Sequence, residues 1–447
     1  MWPYEKLHRG ARRASANPVK LVVFAHTPPP HHGQSYMVQL MVEGFGGDRR
    51  NAFHRSESSS GRRDTSSSVG GRIECYHVNA RFSADISDLG VIRLAKLFLV
   101  FWYCFEAVWC RWRYGAQTFY FAPAPPKRAA LYRDWLVMLL CRPFFRDFIH
   151  HWHAAGLHDW LETDATRVER GVTRFLLGRA SLGVTLAVAN LRDPLGFKTR
   201  RVAIVPNGIA DPFPEFAHQL LPRRRARLEA RRSLLMGQSV SNSSDAPTGD
   251  EPAVFRILYL AHCFRGKGIF ETLDGVALAH RRLMEQNHPL DVHLTVAGDF
   301  SSQQEREQFI RRIADDDLKG VVTHVGFVAG EEKERLLRES DCLCFPTYFH
   351  LESFGLVVVE AMAAGLPVIA TRWRGLPEIL PSDYPGFVPI KDPEAIAACI
   401  PKLFTEDGTP LRALFLERFT RESHLALLRG ALLSLETPCS RVAHWTR

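Results

Sequence analysis

Two carboxylates stand eight positions apart in Glu352-Ser353-Phe354-Gly355-Leu356-Val357-Val358-Val359-Glu360, and the run continues Ala361-Met362-Ala363-Ala364-Gly365-Leu366-Pro367-Val368-Ile369-Ala370-Thr371. Ser353 is a candidate N-cap, since a serine oxygen there accepts from a free amide of the first helical turn. Gly355 leaves the backbone N–H groups at the helix start unobstructed. Such a start attracts phosphate through its unpaired amides and its dipole. Glu352 stands just outside the helix and Glu360 within it, and eight fully helical steps of 1.5 Å would separate them by roughly 12 Å. That spacing suits two acceptors gripping hydroxyls at opposite ends of a sugar diphosphate nucleoside, with the phosphates between them. Gly365-Leu366-Pro367 then ends the helix and leads into a buried strand. The competing reading is an amphipathic helix whose two acids are merely solvated.

A site of this kind needs a sheet to present its loops. Lys20–Ala25 is an apolar, β-branched run that stops at Thr27-Pro28-Pro29-Pro30 and reads as a buried parallel strand. The loop His31-His32-Gly33-Gln34-Ser35 and a helix from Tyr36 to about Gly44 follow, which is the opening unit of a doubly wound α/β domain. Further strands are predicted at Ile73–Val78, Thr118–Ala122, Phe148–His151, Gly183–Ala187 and Arg201–Val205, with helical patterns between them. The alternation restarts with a strand at Arg256–Ala261 and a helix from Gly268 to about Gln286. Strands at Val292–Ala297, Val321–Val325, Leu343–Phe345 and Pro367–Ala370, and a short one at Gly386–Pro389, complete the second series. The fold class expected is α/β, with two Rossmann-like doubly wound domains facing across a cleft. The ranges are a basic tail at 1–18, an N-terminal domain at 19–215, a linker at 216–253, a second domain at 254–405 and a helical segment at 406–447 that returns toward the first domain. Residues 49–71, rich in Ser, Arg and Gly, read as a disordered insertion in the first domain.

The length of 447 residues fits two domains with insertions, and 46% hydrophobic with 23% charged residues excludes a fibrous or wholly disordered chain. The formal charge of +9 is dispersed over Arg12-Arg13, Arg49-Arg50, Arg62-Arg63, Arg200-Arg201, Arg223-Arg224-Arg225 and Arg311-Arg312. A nucleic-acid partner would call for one basic stripe with interleaved aromatics, so none is expected. Each cluster reads either as solvated surface or as attraction to a diphosphate ligand or an anionic membrane surface. The nine cysteines are scattered, and Cys342-x-Cys344 lies in a strand-like run rather than in a metal-ligand spacing, so reduced thiols and a cytoplasmic location are expected. The N-terminus is basic (Lys6, Arg9, Arg12, Arg13) with no apolar run before Leu21, so no secretory signal is expected. Leu94–Trp112 and Leu131–Phe145 are very apolar and flanked by Arg93, Arg111, Arg113, Lys127, Arg128, Arg142 and Arg146. The charge-free part, Leu97–Phe105, is well short of the ~20 residues that cross a bilayer. The two stretches suit peripheral contact with an anionic membrane, or else are helices buried against the sheet.

The stretch Glu352–Thr371 resembles the Glu-x7-Glu signature of retaining GT-B glycosyltransferases, the "glycosyl transferases group 1" class within glycosyltransferase family 4, and the likeness covers most of the second domain. In that family the first acid contacts the donor sugar and the second holds the ribose hydroxyls. The resemblance gives these roles to Glu352 and Glu360, with backbone N–H groups near Phe354, Gly355 and Leu356 meeting the sugar and diphosphate. Leu258–Gly268 is a second match, where the family carries an Arg and a Lys-Gly that neutralise the pyrophosphate. Lys267-Gly268 fits, His262 stands where the Arg is usual, and Arg265 is the nearest substitute. Gly326-Phe327-Val328 matches the segment whose backbone hydrogen-bonds the base. Val205-Pro206-Asn207-Gly208-Ile209 resembles a turn near the family's domain hinge. His150-His151-Trp152-His153-Ala154-Ala155-Gly156 resembles a loop whose histidine touches the donor hexose or the transferring centre; His153 is the first choice and His151 the second. Gly33, between His32 and Gln34, matches a glycine-bearing loop where relatives usually show Gly-Gly.

The resemblance implies a hexosyltransferase of cell-envelope polysaccharide biosynthesis, acting in the cytoplasm or at the inner face of the cell membrane. Its co-substrate would be a nucleotide-diphosphate sugar, with no metal and no cofactor, and its acceptor a glycan or lipid-linked hydroxyl. Glu352, His153 and Lys267 would serve the reaction, while Gly33, His151, Arg265, Val328, Phe354, Gly355, Leu356 and Glu360 would bind the nucleotide sugar. Transfer would proceed by front-face displacement, the leaving diphosphate oxygen taking the acceptor's proton while Lys267 and the helix start stabilise the developing charge. Two alternatives stay open: a UDP-sugar 2-epimerase on the same architecture, and a non-catalytic nucleotide-sugar-binding protein.

Overall fold

Short runs rich in Val, Ile, Leu and Phe become buried parallel strands when helices cover both faces of their sheet, and twelve such runs build two parallel sheets here. The computed structural model describes residues 18–29, 33–50, 73–82, 94–238, 253–315 and 318–436. The basic tail, nearly all of the 49–71 insertion, His31, His32 and Cys439 lie outside the described residues. The first sheet holds β1 (Val19–Phe24), β2 (Ile73–Val78), β3 (Thr118–Phe121), β4 (Asp147–Trp152), β5 (Leu182–Thr185) and β6 (Val202–Ile204), in the order β2-β1-β3-β4-β5-β6. The second holds β7 (Val254–Leu260), β8 (Asp291–Ala297), β9 (Val322–Gly326), β10 (Cys342–Phe345), β11 (Val368–Thr371) and β12 (Phe387–Val388), in the order β12-β11-β10-β7-β8-β9. Every strand falls on a run expected from sequence, with ends displaced by a residue or two; β7, for instance, begins at Val254 rather than Arg256. Together these are two Rossmann-like α/β domains, the GT-B fold class.

The chain divides into a first unit (residues 1–185, 191–205 and 425–447) and a second (186–190 and 206–424). The span assigned to a linker is helical from Phe216 to Leu235, a turn of π-helix at Phe216–Leu220 running into the α-helix Leu221–Leu235. Phe216 and Leu220 are buried in the core of the second unit, which explains why the segment is ordered. The C-terminal stretch forms two helices, Thr409–Arg418 and Arg421–Leu433. Within the first unit, a Cβ on Gly44 would lie 2.3 Å from Leu425 Cδ1, so only glycine lets the two helices touch there.

The two apolar stretches of the first unit are the helices Leu94–Tyr114 and Arg128–Cys141. Val100, Cys104, Ala107 and Cys110 bury one stripe of the first helix at helical spacing. Phe98, Phe101, Trp102, Phe105, Trp109 and Trp112 form an exposed stripe, with Phe98 and Trp112 each 69% exposed. Burial against the sheet therefore accounts for one face of this helix and not for the other. Among the described residues, no helix is long and apolar enough to cross a membrane. The eight described cysteines are free and buried.

His150 on β4 is buried against the rings of Phe121 and Trp152, and neither of its ring nitrogens has a hydrogen-bond partner. Burial, and then the nearby Arg142 charge, push its pKa down to about 3. His424 is pushed down to about 4 by burial, partly offset by its 2.7 Å contact with the Pro206 carbonyl oxygen. An unfolded histidine titrates near about 6.5, so below that pH the unfolded chain binds protons that the folded chain refuses. Their contribution is thus complete above pH ~6.5 and lost as pH falls toward the folded values, at up to ~1.4 kcal/mol per pH unit for each group. The melting temperature is expected to fall between pH 6.5 and 4.5, and His150→Leu, which removes two orphaned nitrogens at similar volume, is expected to fold at pH 7 and to flatten that fall. An unchanged slope in the variant would refute the assignment.

Candidate functional site

In the second sheet the chain runs outward from β7 through β8 to β9, then returns to β10 on the other side of β7. The loops after β7 and β10 therefore leave the carboxyl edge side by side, at the kind of switch point where open α/β sheets bind ligands. The loop after β7 closes in a tight turn, Arg265–Lys267, and Gly268 at φ +79° opens the helix Ile269–Glu285. Tyr348 N, on the loop after β10, donates to Gly266 O at 2.9 Å, and Thr347 Oγ1 donates to the same oxygen at 3.3 Å. Trp373 Nε1 fixes Phe349 O at 2.8 Å, and Asn190 Nδ2 fixes Ser353 O at 2.8 Å.

Between these loops Lys267 Nζ lies 2.5 Å from Glu352 Oε2, with the two side chains only 18% and 10% exposed. The ammonium also sits over the rings of Phe345 and Phe349, 5.3 and 5.5 Å from their centroids. Opposite charges this close and this dry attract far more strongly than at a surface. The sequence separated these residues by 85 positions, and the adjacency of β7 and β10 brings them together.

The helix start differs from expectation. Gly355, at φ +83°, is the N-cap and the helix is Leu356–Ala363; Ser353 lies two residues earlier and makes no cap. The left-handed turn carries the chain into the helix where an extended serine would not, and a Cβ on Gly355 would stand 2.6 Å from Leu376 Cδ2. Only the last four of the eight steps from Glu352 to Glu360 are therefore helical, so the straight-helix spacing does not apply. Phe354 is a core residue, packed edge-on against Phe419 at 6.0 Å, and Leu356 is half-buried, so both offer backbone rather than side chain. The first amides of such a helix have no intrahelical acceptor.

Glu360, one turn along, pairs with Lys333 Nζ at 2.7 Å. Lys333 belongs to the helix Gly330–Glu339 and was not singled out by sequence. It sits in Glu331-Glu332-Lys333-Glu334, which reads as a solvated face; a single lysine among three acids was the only available signal. Gly326, at φ +73°, ends β9, and Phe327 N donates to Asp299 Oδ1 at 3.2 Å. Val328 packs on the same core as Leu356. Gly298 supports this corner: its N–H donates to Gly326 O at 2.7 Å, and a Cβ there would come within 1.8 Å of Ala261 O.

Arg265 is turned away from the Lys267–Glu352 pair. Its N–H donates to Glu305, its guanidinium donates to Gln308 Oε1 at 3.0 Å, and it covers the Phe270 ring. His262 lies near Lys267, and burial together with that positive charge lowers its pKa, keeping the ring neutral. In the first unit, Gly33 is the exposed first residue of the helix Gly33–Gly44. His151 Nδ1 lies 2.5 Å from Tyr120 OH. Burial raises the Tyr120 pKa, so the phenol keeps its proton, and the imidazole tautomer sets which of the two groups donates. His153, just beyond β4, stacks on His151 with ring centroids 4.0 Å apart. His150 serves the core, as described above. Among the described residues, no three His, Cys, Asp or Glu side chains gather into a metal-holding group.

The second unit thus presents two lysine–carboxylate pairs on either side of a glycine-capped helix start. Ammonium groups there can meet phosphate oxygens, and the carboxylates can accept from hydroxyls. Residues 247–418 match the family described as "Glycosyl transferases group 1". A D-inositol 3-phosphate glycosyltransferase of Pseudarthrobacter chlorophenolicus is 34% identical over 128 residues, 29% of this chain and 29% of that one. A phosphatidyl-myo-inositol mannosyltransferase of Mycolicibacterium smegmatis is 33% identical over 137 residues, 30% of this chain and 33% of that one. The chain thus spans about a third of the length of these curated relatives. Among solved structures, Anabaena Alr3699/HepE in complex with UDP and glucose superposes with a TM-score of 0.57 over 92% of this chain and 99% of that one, at 15% identity, a likeness of fold. Over residues 247–418, therefore, the chain is similar to the glycosyl transferases group 1 family.

Proposed function

We propose that the protein is a retaining, metal-independent glycosyltransferase that moves a hexosyl unit from a nucleotide-diphosphate sugar to a glycan or lipid-linked hydroxyl. The observation that carries this reading is the Lys267–Glu352 pair beside the Gly355-capped helix start. Lys267 turns to the diphosphate and stabilises the charge that develops on the leaving oxygen, together with the amides of the Leu356–Ala363 helix. Glu352 accepts a hydroxyl of the donor sugar, and Glu360 accepts the ribose hydroxyls. The two lysines supply at the phosphates the positive charge that a metal supplies in other transferases. The leaving diphosphate oxygen takes the acceptor's proton on the same face of the sugar. Val328 completes the donor's surroundings in the second unit, while Arg265, held by Gln308 and Phe270, stands outside them.

A second observation bears on the acceptor. The exposed aromatic stripe Phe98–Trp112 ends in Arg111 and Arg113. Tryptophan and phenylalanine on one helical face, with arginines at its end, match a helix lying in an anionic lipid surface. This supports peripheral attachment to a membrane, where a lipid-linked acceptor would be found.

Nucleotide release is to be measured over a panel of nucleotide sugars, with and without glycan and lipid acceptors. Acceptor-dependent release is expected, and Glu352→Gln is expected to lower it on the order of 100-fold. That variant keeps a hydrogen bond to Lys267, so its melting temperature should move by only a few degrees. Release without an acceptor and with an epimerised sugar would instead point to an epimerase, and no release at all to a binding protein. For the membrane, flotation with phosphatidylglycerol vesicles at low salt is expected to carry the wild type upward. Each inserted aromatic side chain contributes about 1.5–3 kcal/mol, so Trp102→Ser with Phe105→Ser should weaken binding by roughly tenfold or more. Wild type left at the bottom of the gradient would remove the membrane from the proposal.

A further inference from the structure

Arg223 and Arg224 play no part in the donor site, yet they open onto a cavity of about 690 Å³ in the second unit. The walls are the loop 212–216, the first turns of the helix Leu221–Leu235, the amino end of β7 and the helix Gly330–Glu339. Six arginines line it: Arg223, Arg224, Arg227, Arg256, Arg335 and Arg338. Only two carboxylates share that lining, those of Glu215 and Glu339.

Three of these arginines are already neutralised. Arg227 pairs with Asp341 at 2.7 Å, Arg338 with Glu334 at 2.9 Å, and Arg335 with Glu332 and Glu339 at 2.6 and 2.5 Å. Arg224 donates only to backbone, to Leu337 O at 2.9 Å and Ser340 O at 3.0 Å, and its Nε has no partner. Arg223 is exposed and has no partner among the described residues. Capping the end of the Gly330–Glu339 helix explains Arg224 in part, since arginine satisfies terminal carbonyls. It does not explain a second, uncompensated guanidinium beside it over an open cavity.

The cavity is also remote from the donor loops. Arg256 is the third residue of β7, whereas Lys267 follows the strand's far end. The remaining four steps of β7 alone span about 13 Å at 3.3 Å each.

We propose that this cavity is a second ligand site, which binds a phosphate-bearing anion of at least two negative charges through Arg223 and Arg224. Guanidinium groups match phosphate oxygens two at a time, and that geometry favours phosphomonoesters and pyrophosphates over monovalent anions. The site stands independently of the transferase reading. The same chemistry is offered by a soluble phosphate ester and by a lipid headgroup.

The test is isothermal titration of the full-length Lys267→Ala protein, whose donor loop is weakened, with inorganic pyrophosphate. Binding is expected to persist in that background and to fall at least tenfold when Arg223→Glu is added. Arg225→Glu makes the same charge change at an exposed neighbour that does not line the cavity, and is expected to alter binding less than twofold. Matching melting temperatures for the two glutamate variants would establish that both remain folded. No binding in the Lys267→Ala background, or equal losses from Arg223→Glu and Arg225→Glu, would overturn the proposal. Once pyrophosphate binds as expected, vesicles containing phosphatidic acid, whose headgroup is a phosphomonoester, separate the sources. Vesicle binding lost in Arg223→Glu and displaced by pyrophosphate assigns a lipid headgroup, and vesicle binding indifferent to Arg223 assigns a soluble phosphate.

Discussion

Gly268 and Gly355 sit in left-handed backbone, at φ +79° and +83°, each where a side chain would strike the wall of the site. A Cβ on Gly268 would come within 2.5 Å of Pro346 O, and one on Gly355 within 2.6 Å of Leu376 Cδ2. The loops that leave β7 and β10 can approach only because Gly268 is bare, while a bare Gly355 lets Leu376, beyond β11, pack against the helix start. Any other residue would add about 1–3 kcal/mol of backbone strain to the clash itself. From that approach follow the bonds of Tyr348 and Thr347 to Gly266 O, the ring wall of Phe345 and Phe349, and the meeting of Lys267 with Glu352. Chemistry at this corner is a consequence of chain direction at two residues.

The charges brought together there are stored in pairs. A half-buried carboxylate without a partner is expensive, and so is an unpartnered ammonium. Lys267–Glu352 and Lys333–Glu360 satisfy both conditions within the protein itself. On the proposed reading, a sugar diphosphate nucleoside exchanges partners with them. Its phosphates take over the lysines and its hydroxyls take over the carboxylates, so no charge is stranded at any stage. A site built this way holds its geometry before the donor arrives and loses little electrostatic energy when it does.

Most strands were legible in the sequence because a strand covered on both faces is a largely apolar run, and local composition records that directly; β9, VTHVG with three exposed residues, was legible from its β-branched content instead. The restart of the alternation at β7 likewise revealed two Rossmann-like units. The helix start was misread at Ser353, because serine's capping preference is a local rule, whereas Gly355 caps the helix in left-handed backbone beside Leu376, a neighbour only the tertiary structure supplies. Lys333 was invisible for a similar reason: its partner Glu360 lies 27 residues away on another helix, and an isolated lysine among acids has many explanations. Arg265 shows the reverse. A charge in the expected loop was legible, but its direction depends on Gln308 and Phe270, which only the tertiary structure places beside it.

The two ends of β7 and β10 carry opposite electrostatic problems. At the carboxyl edge each lysine has its acid. At the amino edge Asp341, just before β10, is held ionised against its own burial by Arg231 and Arg227, and it also accepts the Arg256 N–H at 2.9 Å. One carboxylate has two oxygens, and both are occupied by these bonds. Burial pushes the Arg224 pKa down to about 10 against the opposing pull of Asp341, and the hydrogen bonds of its guanidinium go to backbone oxygens. Glu332, Glu334 and Glu339 are engaged with Arg335 and Arg338 on their own helix. Among the described residues, Arg223 and Arg224 have no carboxylate partner, and they face a cavity rather than flat surface, which is the condition under which a bound anion, and not diffuse counterions, satisfies them most fully.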